Sequence, residues 1–98
     1  MARYSVYRLR TGELAIDCQA DILEHLGSRF VVPLVNPKNI PDPIKRLHPL
    51  FEINGQGWIM ATHMATAIKR KEIEATVCSL RDEDRLIDNA LDFLITGV

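Results

Sequence analysis

Three histidines, two cysteines and several clustered carboxylates are the residues of this chain that could do chemistry. Their spacing assigns them little of it. His25, His48 and His63 each lack a second histidine or cysteine at the short spacing of a metal site, so no metal is expected. Asp21, His25 and Ser28 are the residue types of a nucleophilic triad, but no glycine-flanked elbow presents the serine. Gly55-Gln56-Gly57 falls in a hairpin turn, and no G-x-x-x-x-G-K-[ST] loop offers a phosphate cradle. Lys69-Arg70-Lys71 could meet phosphates or an acidic partner, though a solvated loop tip is the simpler reading. Asp82, Glu83 and Asp84 suit the positive end of a helix dipole and need no acid–base role. Cys18 and Cys78 form no C-x-x-C pair and read as reduced, buried thiols. Residues alone therefore predict a chain that is not an enzyme and takes no cofactor.

The elements that must position these residues begin with Ser79 to Val98. Leu80, Leu86, Ile87, Ala90, Leu91, Leu94, Ile95 and Val98 recur three or four apart, which predicts an amphipathic helix. Ser79 followed by Asp82 predicts a capping box at its start, and Thr96-Gly97 predicts its end. Asp88 and Asp92 lie on the polar side, and Phe93 lies off the main stripe. Phe93 therefore packs against a subunit neighbour or serves a protein–protein contact. The sequence stops on this helix, so its last turn is expected to be free to meet a partner.

Upstream, Tyr4 to Arg8 and Leu14 to Cys18 alternate around Thr11-Gly12, an antiparallel hairpin. Ala20 to Leu26 reads as a turn or one helical turn ended by Gly27, and Phe30 to Val35 as a third strand. Pro33 places that strand at an edge or a bulge, because proline gives no N–H to a ladder. The proline-rich stretch Asn36 to Pro49 reads as an ordered surface loop. Asn54-Gly55 between Leu50–Ile53 and Trp58–Thr62 is the strongest hairpin signal in the chain, with Trp58 read as core. Met64 to Ile68 is ambiguous, and Ile73 to Cys78 is a last short strand. Short antiparallel strands followed by one helix predict a mostly β (α+β) fold, a small, partly open barrel or strongly bent sheet.

Ninety-eight residues, 47% hydrophobic and 26% charged, make a single domain spanning residues 1–98 with a modest core. Dimerisation commonly stabilises such a domain. No apolar run approaches the length of a membrane span, and Met1 leads into a strand pattern without a signal peptide, so a cytoplasmic chain is expected. A formal charge of −1 gives no field for holding nucleic acid directly.

An ordered series of segments along essentially the whole chain resembles the CcdB toxins of bacterial toxin–antitoxin systems. Val6-Tyr7 opens the series, and Asp17-Cys18-Gln19-Ala20-Asp21-Ile22-Leu23 is similar to the family's D-V-Q-S-D-I-I. Gly27-Ser28-Arg29-Phe30-Val31-Val32-Pro33-Leu34 is similar to G-R-R-M-V-I-P-L, and Leu47-His48-Pro49 to L-Y-P. Trp58-Ile59-Met60-Ala61-Thr62 is similar to W-R-M-M-T, with Met64-Ala65 after it and Asn89-Ala90 in register on the last helix.

The resemblance implies an SH3-like antiparallel barrel, a five-stranded sheet with a small side sheet and one C-terminal helix. It also implies a homodimer that binds the DNA gyrase A subunit, traps gyrase on cleaved DNA, and is neutralised by a CcdA-like antitoxin. The implied gyrase contacts are Ile22, Leu23, Asp92, Ile95, Thr96, Gly97 and Val98. The implied antitoxin contacts fall in Arg8 to Glu13, Pro41 to Arg46 and Lys69 to Lys71, with Arg8, Arg10, Lys45, Arg46, Lys69 and Arg70 as the cations for an acidic partner. Three departures stand out: Thr96 replaces the tryptophan of the family's final Trp-Gly-Ile, Asp92 an asparagine, and Ala20 a serine. A protein of this fold that no longer poisons gyrase, acting on another target or only on its antitoxin, is the alternative. A nuclease-like toxin on a related barrel is a third reading, requiring a base and a phosphate-binding cation side by side.

Overall fold

Tyr4 sets the frame. Its backbone lies at φ 73°, a region a bulky residue occupies only when its surroundings hold it there. Its N–H donates to the Asp17 carbonyl at 2.7 Å and its carbonyl accepts from Leu80 N–H at 2.8 Å. The chain's first strand is thus tied at once to the end of the second and to the approach of the helix. The computed structural model describes residues 2–98.

Seven strands follow: β1 (Ser5–Leu9), β2 (Leu14–Asp17), β3 (Ser28–Val35), β4 (Leu50–Ile53), β5 (Gln56–Met60), β6 (Thr66–Lys69) and β7 (Ile73–Ser79), then the helix α1 (Asp84–Thr96). All pairs are antiparallel, in the order β4-β5-β3-β2-β1-β7, with β6 also on β3. The sheet curls into a half-barrel, and the β4–β5 hairpin extends one end as its side wing. The predicted fold class is the one observed.

Alternation sends the two sides of each central strand into different clusters. Val6, Ile16, Val32, Met60, Ile87 and Ala90 are sealed between sheet and helix. Tyr7, Ala15 and Val31 face the other way and are covered by Leu9, Ile68 and Ile73 where the sheet folds over itself. Pro33 is neither at an edge nor in a bulge. Between its two flanks β3 changes partner, giving Ser28–Val31 to β6 and Leu34–Val35 to β5, so no ladder bond is missed.

Asn54 (φ 53°) and Gly55 (φ 81°) form the predicted tight turn. A methyl group at Gly55 would meet no atom within 4 Å, so Gly55→Ala isolates the backbone cost of the left-handed conformation. A loss of about 1–2 kcal/mol is expected in a urea titration, and an unchanged midpoint would contradict it.

Two local expectations are corrected. The ambiguous Met64–Ile68 stretch supplies most of β6, making seven strands among the described residues where the sequence suggested six or so. The helix does not start from a Ser79 capping box: Ser79 Oγ accepts from Arg81 N–H at 3.2 Å and supports a 3₁₀ turn, Arg81–Glu83. The α-helix begins after it, at Asp84, with no side-chain cap. Leu80, which sequence periodicity placed on the helix, is instead drawn into the core below it.

Candidate functional site

Helix α1 buries Ile87 and Ala90, half-buries Leu91, and points the rest of its stripe outward at its end. Gly97 takes the left-handed conformation (φ 75°) and donates its N–H to Phe93 O at 2.9 Å, closing the helix as predicted. Thr96 does not reach outward. Its hydroxyl donates to Asp92 O at 2.7 Å and accepts from Val98 N–H at 3.4 Å, so it is used up inside the turn. What the turn presents is apolar: Ile95 and Val98 are each 79% exposed. Arg46 grips this turn from the side, donating to the Val98 oxygen at 2.8 Å with its guanidinium 4.9 Å from the Phe93 ring centroid.

Ile22 and Leu23 lie in a 3₁₀ turn, Asp21–Leu23, with Ile22 84% exposed. Gln19 pins the turn from below, its amide donating to Leu23 O and accepting from Phe30 N–H, both at 2.9 Å. Arg3 joins this turn to the helix: its N–H donates to the Asp21 carboxylate at 2.9 Å and its guanidinium to Asp88 at 3.0 Å. The Tyr4 hydroxyl also donates to Asp88, so this carboxylate ties Arg3 and Tyr4 to α1. The link reaches the middle of α1, while Asp92 and Ile95 to Val98 lie beyond it.

The six cations expected to meet an antitoxin do not form one patch. Arg10 and Arg70 clamp backbone carbonyls, of Lys71 at 2.6 Å and Leu26 at 3.0 Å, and Arg8 pairs with Glu74 at 3.2 Å. Lys69 gives its backbone N–H to the Glu72 carboxylate at 2.7 Å. Lys45 and Arg46 sit apart along α1, Lys45 beside Leu86 in its first turn and Arg46 at its last.

Sequence reasoning missed two polar groupings. Asp17, Tyr7 and Arg29 are wholly buried, Asp17 accepting from the Tyr7 hydroxyl, Arg29 Nε (2.9 Å) and Gln19 N–H (2.9 Å). Burial and the bond to Asp17 raise the Tyr7 hydroxyl's pKa. Burial, with Asp17's charge, pushes the Cys18 thiol up to about 12 and burial also raises Cys78, so neither free thiol is primed as a nucleophile. An arginine locked this way cannot meet a substrate. The sequence signal for it is a carboxylate and a guanidinium, Asp17 and Arg29, set within two strands.

The second grouping is His48 and His63, fifteen residues apart in the chain and 2.9 Å apart in space, Nε2 to Nδ1. Ile44 N–H donates to His48 Nδ1 at 2.9 Å, which places the His48 proton on Nε2. A metal-binding histidine needs the opposite arrangement, donating through its far nitrogen. The pair is therefore a hydrogen-bonded contact. The third histidine, His25, lines an open hollow of about 440 Å³ with Asp21, Glu24 and Arg70, a base and a cation that the sequence kept far apart. Ser28 has no hydrogen bond to His25 among the described residues, so the paper triad does not form.

No helix among the described residues is long and apolar enough to cross a membrane. The fold is similar to two solved structures. One is an endoribonuclease from Mycobacterial species, with a TM-score of 0.80, 13% identity, and 97% of this chain and 90% of that one covered. The other is an endoribonuclease in complex with its cognate antitoxin from Mycobacterial species, with a TM-score of 0.78, 14% identity, and coverage of 97% and 94%. These neighbours overturn the expectation that the chain is not an enzyme. That expectation rested on the absence of a sequence motif, yet the fold carries endoribonucleases, and folding itself assembles catalytic residue types, as at His25 and Arg70. The model of the CcdB protein family matches residues 3–97, nearly the whole chain, and the protein belongs to the CcdB family.

Proposed function

We propose that the protein is the toxin of a toxin–antitoxin pair and that it acts in the cytoplasm on the DNA gyrase A subunit through the last turn of α1. The observation that carries this reading is a hydrogen-bonded turn whose outward residues, Ile95 and Val98, are apolar and 79% exposed. Nothing in the fold uses them, and an exposed apolar patch on an ordered element is the usual mark of a protein contact. Ile22 and Leu23 supply a second apolar anchor, with Asp92 and Gly97 shaping the turn. Exposed Leu26 and Phe30, tied to the Asp21–Leu23 turn by hydrogen bonds, favour a homodimer. A CcdA-like antitoxin, acidic and extended, suits the surface cations Arg8, Arg10, Lys45, Lys69 and Arg70.

A second reading is RNA cleavage at the His25 hollow, favoured by the likeness of fold and by an imidazole and a guanidinium lining one hollow. There His25 would take the proton of a ribose 2′-hydroxyl as that oxygen attacks the neighbouring phosphorus. Arg70 would neutralise the developing charge, and the 5′-oxygen would leave with a proton from solvent.

One experiment separates the readings. Purified protein is incubated with gyrase and supercoiled DNA, and in parallel with total RNA. Cleaved DNA held on gyrase supports the first reading. RNA fragments lost in His25→Ala support the second. Neither product from folded protein sinks both and leaves the family scaffold with another target.

A further inference from the structure

The segment from Pro41 to Pro49 is a strap along α1, sharing a hollow with Leu86 at the helix start and reaching the helix end through Arg46. Its prolines fix local backbone angles, and its central part closes on itself. Leu47 N–H and His48 N–H both donate to Ile44 O, at 2.9 and 2.7 Å, while Ile44 N–H donates to His48 Nδ1. Arg46 stands in the middle of this closed turn. It reaches the Val98 oxygen and covers Phe93, whose own carbonyl accepts the Gly97 N–H. Both ends of the turn that presents Ile95 and Val98 are therefore under one side chain.

His48 anchors the strap to the body. It is 8% exposed, and its Nε2–H meets Nδ1 of His63 on the 3₁₀ turn Thr62–Met64, which packs on α1. The rings meet edge to face at 81°.

We propose that Arg46 is the positioning residue of the recognition turn, and that the hydrogen-bonded His48–His63 pair holds the strap that carries it. The proposal rests on the reading that this turn meets a partner. It moves Arg46 from the antitoxin surface to the target surface.

His48 has no place for a second proton. His48 Nδ1 needs its lone pair for Ile44 N–H, and His63 Nδ1 needs its own for His48. The groups facing His48 offer no compensation: His63 from the 3₁₀ turn, Lys45 from the strap, and apolar Leu50 and Leu86 from β4 and α1. Burial, then His63, holds His48 below its ordinary value. Its contribution is therefore complete above the unfolded imidazole's pKa of about 6.5 and is lost as the pH falls through the lower folded value.

Amide hydrogen exchange of Gly97, corrected for its intrinsic rate, tests this at about pH 7.5 and about pH 5.5, on either side of imidazole titration. Wild type is expected to lose about tenfold in protection on acidification. Arg46→Met is expected to exchange fast at both pH values, Arg46→Lys to recover part of the protection, and His63→Ala to match acidified wild type at the higher pH. Gyrase A binding by Arg46→Met should weaken about tenfold. Protection in Arg46→Met equal to wild type, or a pH step that survives in it, overturns the proposal whatever binds. The expected exchange pattern without gyrase binding by any variant upholds the positioning role and sinks only the gyrase reading.

Discussion

Asp17→Ala is expected to cost about 3–5 kcal/mol of folding stability, because it strands the wholly buried Arg29 guanidinium without its charge partner. Domains of this size have about 5–15 kcal/mol in total, and 1 kcal/mol moves the melting temperature by roughly 4–8 °C. A fall of about 15 °C or more should appear in a thermal melt. The Tyr7 hydroxyl and Gln19 N–H lose their acceptor in the same step. Among the described residues Arg29 Nη1 has no hydrogen-bond partner, so the ion pair is a costly way to fill the space. Asp17→Leu combined with Arg29→Met should therefore recover much of the loss. If Asp17→Ala melts within a few degrees of wild type, or the double variant is as unstable as the single one, the buried pair is not what ties β1, β2 and β3 together.

Val98→Asp and Ile95→Asp are expected to weaken gyrase A binding by about 2 kcal/mol or more each, roughly thirtyfold, since each puts a charge where an apolar anchor must desolvate. Their folding stability should stay within about 0.5 kcal/mol of wild type, because both positions are 79% exposed. Loss of toxicity on overexpression with an unchanged melt is the expected pair of results. Toxicity retained at full strength would place the contact elsewhere. Thr96→Trp is instructive beside them. It breaks the hydroxyl's bonds to Asp92 O and Val98 N–H and restores the family's aromatic, so stronger binding from a slightly looser turn is expected.

Local patterns carried most of the fold. Strand alternation, the Asn54-Gly55 turn and the Gly97 stop each depend on neighbours in sequence, and each appears where its pattern lies. What the sequence hid depends on distant partners. Ser79 and Asp82 satisfy the spacing of a capping box, but Leu80 between them is more stable in the core, and its burial delays the helix to Asp84. Pro33 is accepted in a central strand because β3 changes partner there, a fact of topology with no local trace.

The site divides in the same way. The apolar end of α1 was legible because helical periodicity continued past the point where a core could use it. Arg46 was legible only as a cation. Its place over Phe93 depends on the strap, and the strap depends on two histidines fifteen residues apart. The same holds for His25 and Arg70, which share a hollow because β6 returns along β3 and brings the basic tip to the turn after β2.

Titration calorimetry of the purified protein against the gyrase A breakage–reunion domain, with Val98→Asp alongside, is the most direct test of the proposed function. A dissociation constant of about 1 μM or tighter for wild type, and its loss in Val98→Asp, is the predicted result. No heat from folded wild-type protein, or equal binding by Val98→Asp, would contradict it.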